Sequence, residues 1–423
     1  MQFKAENCSS QLSTAYGGLS DARLEDFRLK TLTAAPAVDS VSNRYIAPTQ
    51  AAKLHLYLHI PFCARRCSYC DFAIAVRRVI PLSEFIDGIT AELKTRFNDG
   101  EIEPLTTVYL GGGTPSKLGP TGIRQLFERL RNTPGLTIAE DAEITMEANP
   151  EDITPEAAAE WAQAGINRLS IGAQSFHSVT LAWMHRTHDV DAVHRGMIAA
   201  RTAGINNISI DLIFALPTDL ERSWDSDLSM ALSLHPDHIS LYGLTVEPHT
   251  PLGRWAARGE VAEAPEERYA AEFLKAHKFL TTAGFEHYEV SNYAKSGKTS
   301  RHNSSYWGRS PYIGVGPSAH SFDGASRRWN EREYEPWRVK VSAAEDPIGG
   351  SELLTAANVL AEDVYLGLRT MNGLPVTIVD TETIAIWQKN GWAVLRKDRV
   401  TLTPEGWLRL DGLAAALTAI RSH

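Results

Sequence analysis

Cysteine is scarce in this chain, four in 423 residues, and three of the four fall within eight positions. Such a distribution excludes a disulfide framework, which would spread paired cysteines through a small secreted chain and here would leave only distant Cys8 as a partner. No apolar run approaches the roughly eighteen residues of a membrane helix, and the first residues lack the basic-then-apolar order of a signal peptide. Asp21, Glu25 and Asp26 also argue against a transit peptide. Positive charge is not in excess: 42 Lys+Arg against 51 Asp+Glu give a net charge of -9, so no bulk field draws the protein to nucleic acid or an anionic bilayer. A local basic patch, and with it peripheral contact with a membrane, stays open. These absences point to a cytoplasmic protein in a reducing compartment, where an oxygen-sensitive centre survives.

What is present is the run Cys63-Ala64-Arg65-Arg66-Cys67-Ser68-Tyr69-Cys70, entered through Tyr57-Leu58-His59-Ile60-Pro61-Phe62. Structural zinc takes four protein ligands and usually draws a second Cys or His pair, and no such pair accompanies the run. Three thiolates on a short loop fit a 4Fe-4S cluster with one iron open to another molecule. Zinc is the alternative.

At this length one barrel-sized domain and a smaller one are expected. Residues 1–50 lack sustained periodicity and read as a weakly ordered extension, in which Cys8 has no assigned role. From Leu54 onward, short strands at 54–60, 106–110, 143–147, 168–171, 207–213 and 238–241 alternate with helical stretches. Ala164-Gly165-Ile166-Asn167 and Ala203-Gly204-Ile205-Asn206 recur between a helix and a strand, where glycine takes the C′ position. Six βα units in succession mean parallel strands with right-handed crossovers, hence an α/β fold with a partial (β/α)6 TIM-like barrel over 51–345. Residues 350–423 read helix, turn, helix, hairpin, helix, an order like that of a winged helix in a small α+β domain. Its seven Lys and Arg stand against eight acids, so an accessory lid or docking role is expected there, without a nucleic-acid partner.

The cysteine spacing, with Tyr69 before the last thiol, resembles the radical S-adenosylmethionine superfamily, in which the open iron is chelated by the amino and carboxylate groups of the cofactor methionine. The wrapping Tyr-x-His-Ile-Pro-Phe-Cys narrows the resemblance to the oxygen-independent coproporphyrinogen III oxidases and the HemW-type haem chaperones, over about residues 54 to 410. The resemblance implies a barrel of that type and a set of cofactor-binding residues at the strand ends: Tyr57, Tyr69, Gly112, Gly113, Thr114, Glu147, Gln174, Arg186, Asp211 and Gly243. Their chemistry suits the task. Glycines let backbone approach a ligand, carboxylates can take ribose hydroxyls, and a guanidinium forks a carboxylate. By the same resemblance, one electron from the cluster would cleave S-adenosylmethionine to methionine and a 5′-deoxyadenosyl radical; no catalytic residue is assigned.

Two departures separate the branches. The oxidase carries a further cysteine two residues after the third ligand, where this chain has Phe72, and the extension lacks the tyrosine-rich segment expected of the oxidase. Downstream, Arg301-His302-Asn303-Ser304-Ser305-Tyr306-Trp307 contains a His-Asn-x-x-Tyr-Trp pattern that resembles the haem-binding motif of the chaperones. It implies His302 as axial ligand, with Asn303, Tyr306 and Trp307 around the macrocycle. The bland alternative is a histidine satisfied by hydrogen bonds among core aromatics. His185 and His188 invite a metal site but, with only Asp189 nearby, are expected on an exposed helical face. The expected function is a haem chaperone passing haem to an unidentified, for instance respiratory, acceptor. A coproporphyrinogen oxidase and a haem sensor or store are the other readings.

Overall fold

The computed structural model describes residues 54–97, 103–220 and 222–421, so the expectations for residues 1–50 and Cys8 fall outside the described residues. Six strands, β1 (Leu54–Ile60), β2 (Leu105–Gly112), β3 (Ile138–Ala148), β4 (Arg168–Gln174), β5 (Asn207–Phe214) and β6 (His238–Gly243), pair in parallel in chain order. Between them run α1 (Leu82–Arg96), α2 (Gly119–Arg131), α3 (Pro155–Ala164), α4 (Ala192–Thr202) and α5 (Trp224–Ser233). The recurrent glycines do what their motif asks: Gly165 and Gly204 sit at φ of +105° and +92°, just past the ends of α3 and α4.

The sheet is wider than six strands. After β7 (Glu286–Glu289) and β8 (Asn292–Ala294), the strand β9 (Tyr312–Val315) pairs in parallel with the free edge of β1. Antiparallel strands β10 (His320–Phe322), β11 (Ser326–Asn330) and β12 (Ile348–Leu353) continue outward from it. The order is β12-β11-β10-β9-β1-β2-β3-β4-β5-β6-β8-β7.

Alternation within the six parallel strands decides what each face does. Leu56, Leu58, Val108, Met146, Ile171 and Ile210 are buried in the main hydrophobic core under the helices. The residues between them are polar: His55, Tyr57 and His59 on β1, Thr107 and Tyr109 on β2, Glu143, Thr145 and Glu147 on β3. Arg168 and Ser170 on β4, Ser209 and Asp211 on β5, and His238, Ser240 and Tyr242 on β6 continue the series. Hydrogen bonds across strands put these side chains on one common face: His55 with Thr107 (2.9 Å), Tyr109 with Glu147 (2.8 Å), Ser170 with Asp211 (2.9 Å) and Ser209 with His238 (2.8 Å). The concave face of this barrel is polar throughout.

A buried carboxylate locks β9 in place. Glu92 of α1 accepts hydrogen bonds from Gly316 N–H (2.9 Å), Asn330 Nδ2 (2.6 Å) and Trp337 Nε1 (2.8 Å), and burial raises its pKa. Glu92→Ala would strip three donors of their carboxylate acceptor, leaving Gly316 N–H and Trp337 Nε1 unsatisfied while Asn330 Nδ2 keeps Gly316 C=O, and the expected loss is about 3 kcal/mol of unfolding free energy. Glu92→Gln should lose less. Equal denaturation midpoints for Glu92→Ala and wild type would dismiss the clamp.

Beyond residue 353 come helices Ala356–Arg369, Thr381–Lys389 and Leu410–Arg421 and a hairpin of Ala393–Arg396 with Arg399–Leu402, to which Leu374–Pro375 adds a third strand. The expected boundary near 350 is no break in packing. The described residues from 54 to 421 fall in one compact unit, and Leu368, Trp387, Leu402 and Trp407 belong to the same buried cluster as the barrel's outer face. The junction is specific: Trp407 packs edge-on against His287 at 4.4 Å, and Arg369 pairs with buried Glu289 at 2.8 Å.

Candidate functional site

The C-terminal ends of β1 to β5 converge on the cysteine loop. Phe62–Cys63 and Ala75–Val76 form a two-stranded pairing that closes the loop at its neck. Within it, Cys70 N–H bonds Cys67 C=O (3.3 Å) and Ser68 N–H bonds Met184 C=O (3.3 Å). The three thiols are half-buried and free of disulfides. Burial pushes Cys63 up to about 11 and Cys70 up to about 12, so in this protein-only environment both rest as thiols. A bound cation would reverse that, since coordination deprotonates a thiol outright.

Beside the loop stands the glycine turn that ends β2. Gly112 has φ of +108°, and a Cβ there would strike the His59 ring at 2.7 Å. Gly113 and Thr114 spend their N–H groups on Ile60 C=O (2.8 Å) and Phe62 C=O (2.9 Å), and Thr114 Oγ1 lies 3.3 Å from Cys63 Sγ. The turn therefore binds the cluster loop directly through its amides.

Arg186 joins the next three segments. Its Nη2 donates to Asn149 Oδ1 (2.9 Å), just past β3, and to Gly172 C=O (2.7 Å) on β4, while Nη1 points at Cys67 Sγ (3.9 Å). Gln174 adopts φ of +68° where β4 slips register against β5, and its amide fills the space that a Cβ on Gly172 would take. Glu147 accepts from Tyr109, and Asp211 accepts from Ser170 and from Ser209 (3.1 Å). Burial raises the pKa of both acids. Tyr69 packs beside Met184 and Ile213. The structure thus gathers Cys63, Cys67, Cys70, Tyr69, Gly112, Gly113, Thr114, Glu147, Gln174 and Arg186 around one mouth, with Asp211 one strand away.

Two of the expected cofactor contacts are built differently. Tyr57 is buried in the barrel, its hydroxyl 3.2 Å from His59 Nδ1 and its ring stacked 6.1 Å from Tyr109. At Gly243 a Cβ would meet the Tyr269 ring at 2.3 Å, so this glycine admits an aromatic ring of the protein itself.

His302 lies apart from this mouth. It is the second residue of the helix Arg301–Trp307 and enters the barrel from the opposite end, where Thr107 lies in the first half of β2. Its side chain is fully buried, with Nδ1 2.6 Å from Thr107 Oγ1 and Nε2 2.8 Å from Tyr306 OH, and its ring stacks on Tyr109 at 4.9 Å. Both ring nitrogens are hydrogen-bonded within the protein. Tyr306 is engaged by the same bond, Asn303 N–H serves the Ser300 cap (3.3 Å), and Trp307 lies under the Arg369 guanidinium at 4.4 Å. The motif plugs the barrel floor. His188 also departs from its expected exposure: it is buried, with Nδ1 3.7 Å from Glu151.

The model of the radical SAM superfamily matches residues 57–231. The chain is similar to the "Heme chaperone HemW" of a Synechocystis strain, 38% identical over 78% of this chain and 80% of that protein. It is similar to the protein of the same name from Mycobacterium tuberculosis, 33% identical over 88% and 96%. In three dimensions it resembles the Escherichia coli coproporphyrinogen III oxidase HemN, with a TM-score of 0.75 and 22% identity, over 87% of this chain and 91% of that one. At that identity the likeness concerns the fold. Among the described residues, no helix is long and apolar enough to cross a membrane.

Proposed function

The chain belongs to the HemW haem chaperone family, built on the radical S-adenosylmethionine fold, and from that premise we propose that it binds haem and passes it to an acceptor protein. Cys63, Cys67 and Cys70 are assigned to a 4Fe-4S cluster whose fourth iron takes S-adenosylmethionine. When bound, that pair supplies one-electron chemistry at the barrel mouth.

The donor set supports the assignment: three free thiols on one loop, with the Gly112–Thr114 turn bonded to it and Arg186 against Cys67. Gly112 and Gly113 have carbonyl oxygens to offer an ammonium, since the Gly113 N–H is spent on β1. Glu147, Gln174 and Asp211 line the polar wall on which the rest of the cofactor would lie. Tyr69 and Arg186 would bound it on the cluster side. The thiols must stay reduced for cluster assembly, which favours a reducing compartment such as the cytoplasm.

The observation that carries the chaperone reading over the oxidase is Phe72. Its backbone N–H donates toward Cys70, but where the oxidase has a thiol this residue offers a half-buried ring, which cannot move a proton or an electron pair. Anaerobically reconstituted protein is expected to take up haem stoichiometrically, to yield it to an apo-haemoprotein, and to leave coproporphyrinogen III unchanged in the presence of a reductant. Formation of protoporphyrinogen would overturn the reading, and haem uptake without any transfer would make the protein a store.

A further inference from the structure

His302 is buried with both ring nitrogens hydrogen-bonded, and the barrel mouth has a histidine with the opposite properties. The helix Ser178–Trp183 ends with His185 N–H bonded to Ala182 C=O (3.0 Å) and Arg186 N–H bonded to Leu181 C=O (2.8 Å). This is a Schellman arrangement with His185 at C′, at φ of +59°. Glycine takes that conformation freely, whereas a side chain there costs roughly 1 kcal/mol. A side chain held against such a cost invites a functional explanation.

The His185 ring is half-buried and stands edge-on to Trp255 at 5.6 Å, and Trp255 lies 6.0 Å from Trp183. Among the described residues neither ring nitrogen of His185 makes a hydrogen bond. Both indoles are half-buried, so each presents surface outward. Met184, Ile213, Leu216 and Leu220 form a small apolar cluster beneath Trp183, separate from the main core. Ser68 ties the patch to the cysteine loop, donating to Met184 C=O (3.3 Å) and accepting from Leu252 N–H (2.9 Å). Arg254, next to Trp255, and Arg65, in the cysteine loop, are exposed, and among the described residues neither pairs with a carboxylate.

We propose that haem docks at the barrel mouth against Trp183 and Trp255, with His185 as its axial ligand. A free imidazole nitrogen, two neighbouring indole surfaces, one of them on an apolar bed, and two guanidinium groups without a carboxylate match the iron, the macrocycle and the propionates of haem. A half-exposed ligand also suits delivery, because an acceptor can reach the iron without opening the barrel. The proposal rests on the haem-handling reading above.

The test is haem titration of the full chain, followed by absorbance and tryptophan quenching, with His185→Gly and His302→Ala beside wild type. His185→Gly is expected to melt no lower than wild type, because glycine suits that backbone, to lose the imidazole-type haem spectrum and to bind roughly tenfold or more weakly. Trp255→Phe should reduce the quenching. His302→Ala should melt lower yet keep the wild-type spectrum. An unchanged spectrum and Kd in His185→Gly would overturn this site alone. Absence of haem binding by the wild-type protein would overturn the site together with the function it serves.

Discussion

Cys67→Ala protein, reconstituted anaerobically with iron and sulfide, is expected to hold essentially no cluster, its iron falling from about four atoms per chain toward zero. The same result is expected for Cys63→Ala and Cys70→Ala, since a cubane with one iron already open has no ligand to spare. The fold should survive. The thiols are half-buried and free, and the loop's neck is held by backbone bonds that do not involve sulfur, Ala75 N–H to Pro61 C=O (2.8 Å) and Arg77 N–H to Cys63 C=O (3.0 Å). The change in unfolding free energy should stay within about 1 kcal/mol. Retention of S-adenosylmethionine should fall in parallel, as its anchor iron is gone. Cys8→Ala is the control and should keep full iron content. A Cys67→Ala protein with wild-type iron and sulfide would remove the three-thiol assignment.

How far these properties could be read from the sequence differed between elements. All six parallel strands and their crossover helices were legible, since each strand is bounded by turn signals and each helix carries its own period. The seventh parallel strand was not. Tyr312–Val315 is four residues long and pairs with β1 across more than two hundred positions of chain, which no local pattern encodes. The antiparallel strands beyond it, three to six residues each, carry no stronger local pattern.

The polar barrel face was missed although its signal was in plain view. Parallel strands covered on both faces normally run almost continuously apolar. Here His55-Leu56-Tyr57-Leu58-His59, Glu143-Ile144-Thr145-Met146-Glu147 and Ser209-Ile210-Asp211 alternate strictly. Period-two polarity in a parallel strand marks a face that binds something or is satisfied by its own hydrogen bonds, and at the floor of this barrel the hydrogen bonds are its own. The His302 motif shows the limit of pattern reading: histidine, tyrosine and tryptophan at helical spacing are equally apt for a porphyrin and for a buried floor. Only the positions of Thr107 and Tyr306 against the two ring nitrogens separate the cases.

That buried imidazole chemistry leads to the second large effect, an abrupt loss of the fold in mild acid. His59 and His188 are lowered to about 4, and His238, His287 and His302 are held well below their ordinary value, in every case first by burial. A group whose folded pKa is depressed contributes stability that is present above its unfolded value of about 6.5 and is lost as pH falls toward the folded value. At pH 5 the unfolded chain has gained a proton at His59 and His188 that the fold, with both lowered to about 4, has not, which costs about 2 kcal/mol at each. His238, His287 and His302 act in the same direction. Glu92, Glu147 and Asp211 oppose this, because burial raises them and their contribution grows as pH falls. Loss of circular dichroism and tryptophan emission should therefore fall between about pH 6 and 4, with His302→Asn moving the midpoint to lower pH relative to its own stability at neutrality. A chain still fully folded at pH 4 would mean that these histidines accept protons inside the fold, and the account of the barrel floor as a neutral, hydrogen-bonded plug would fall with it.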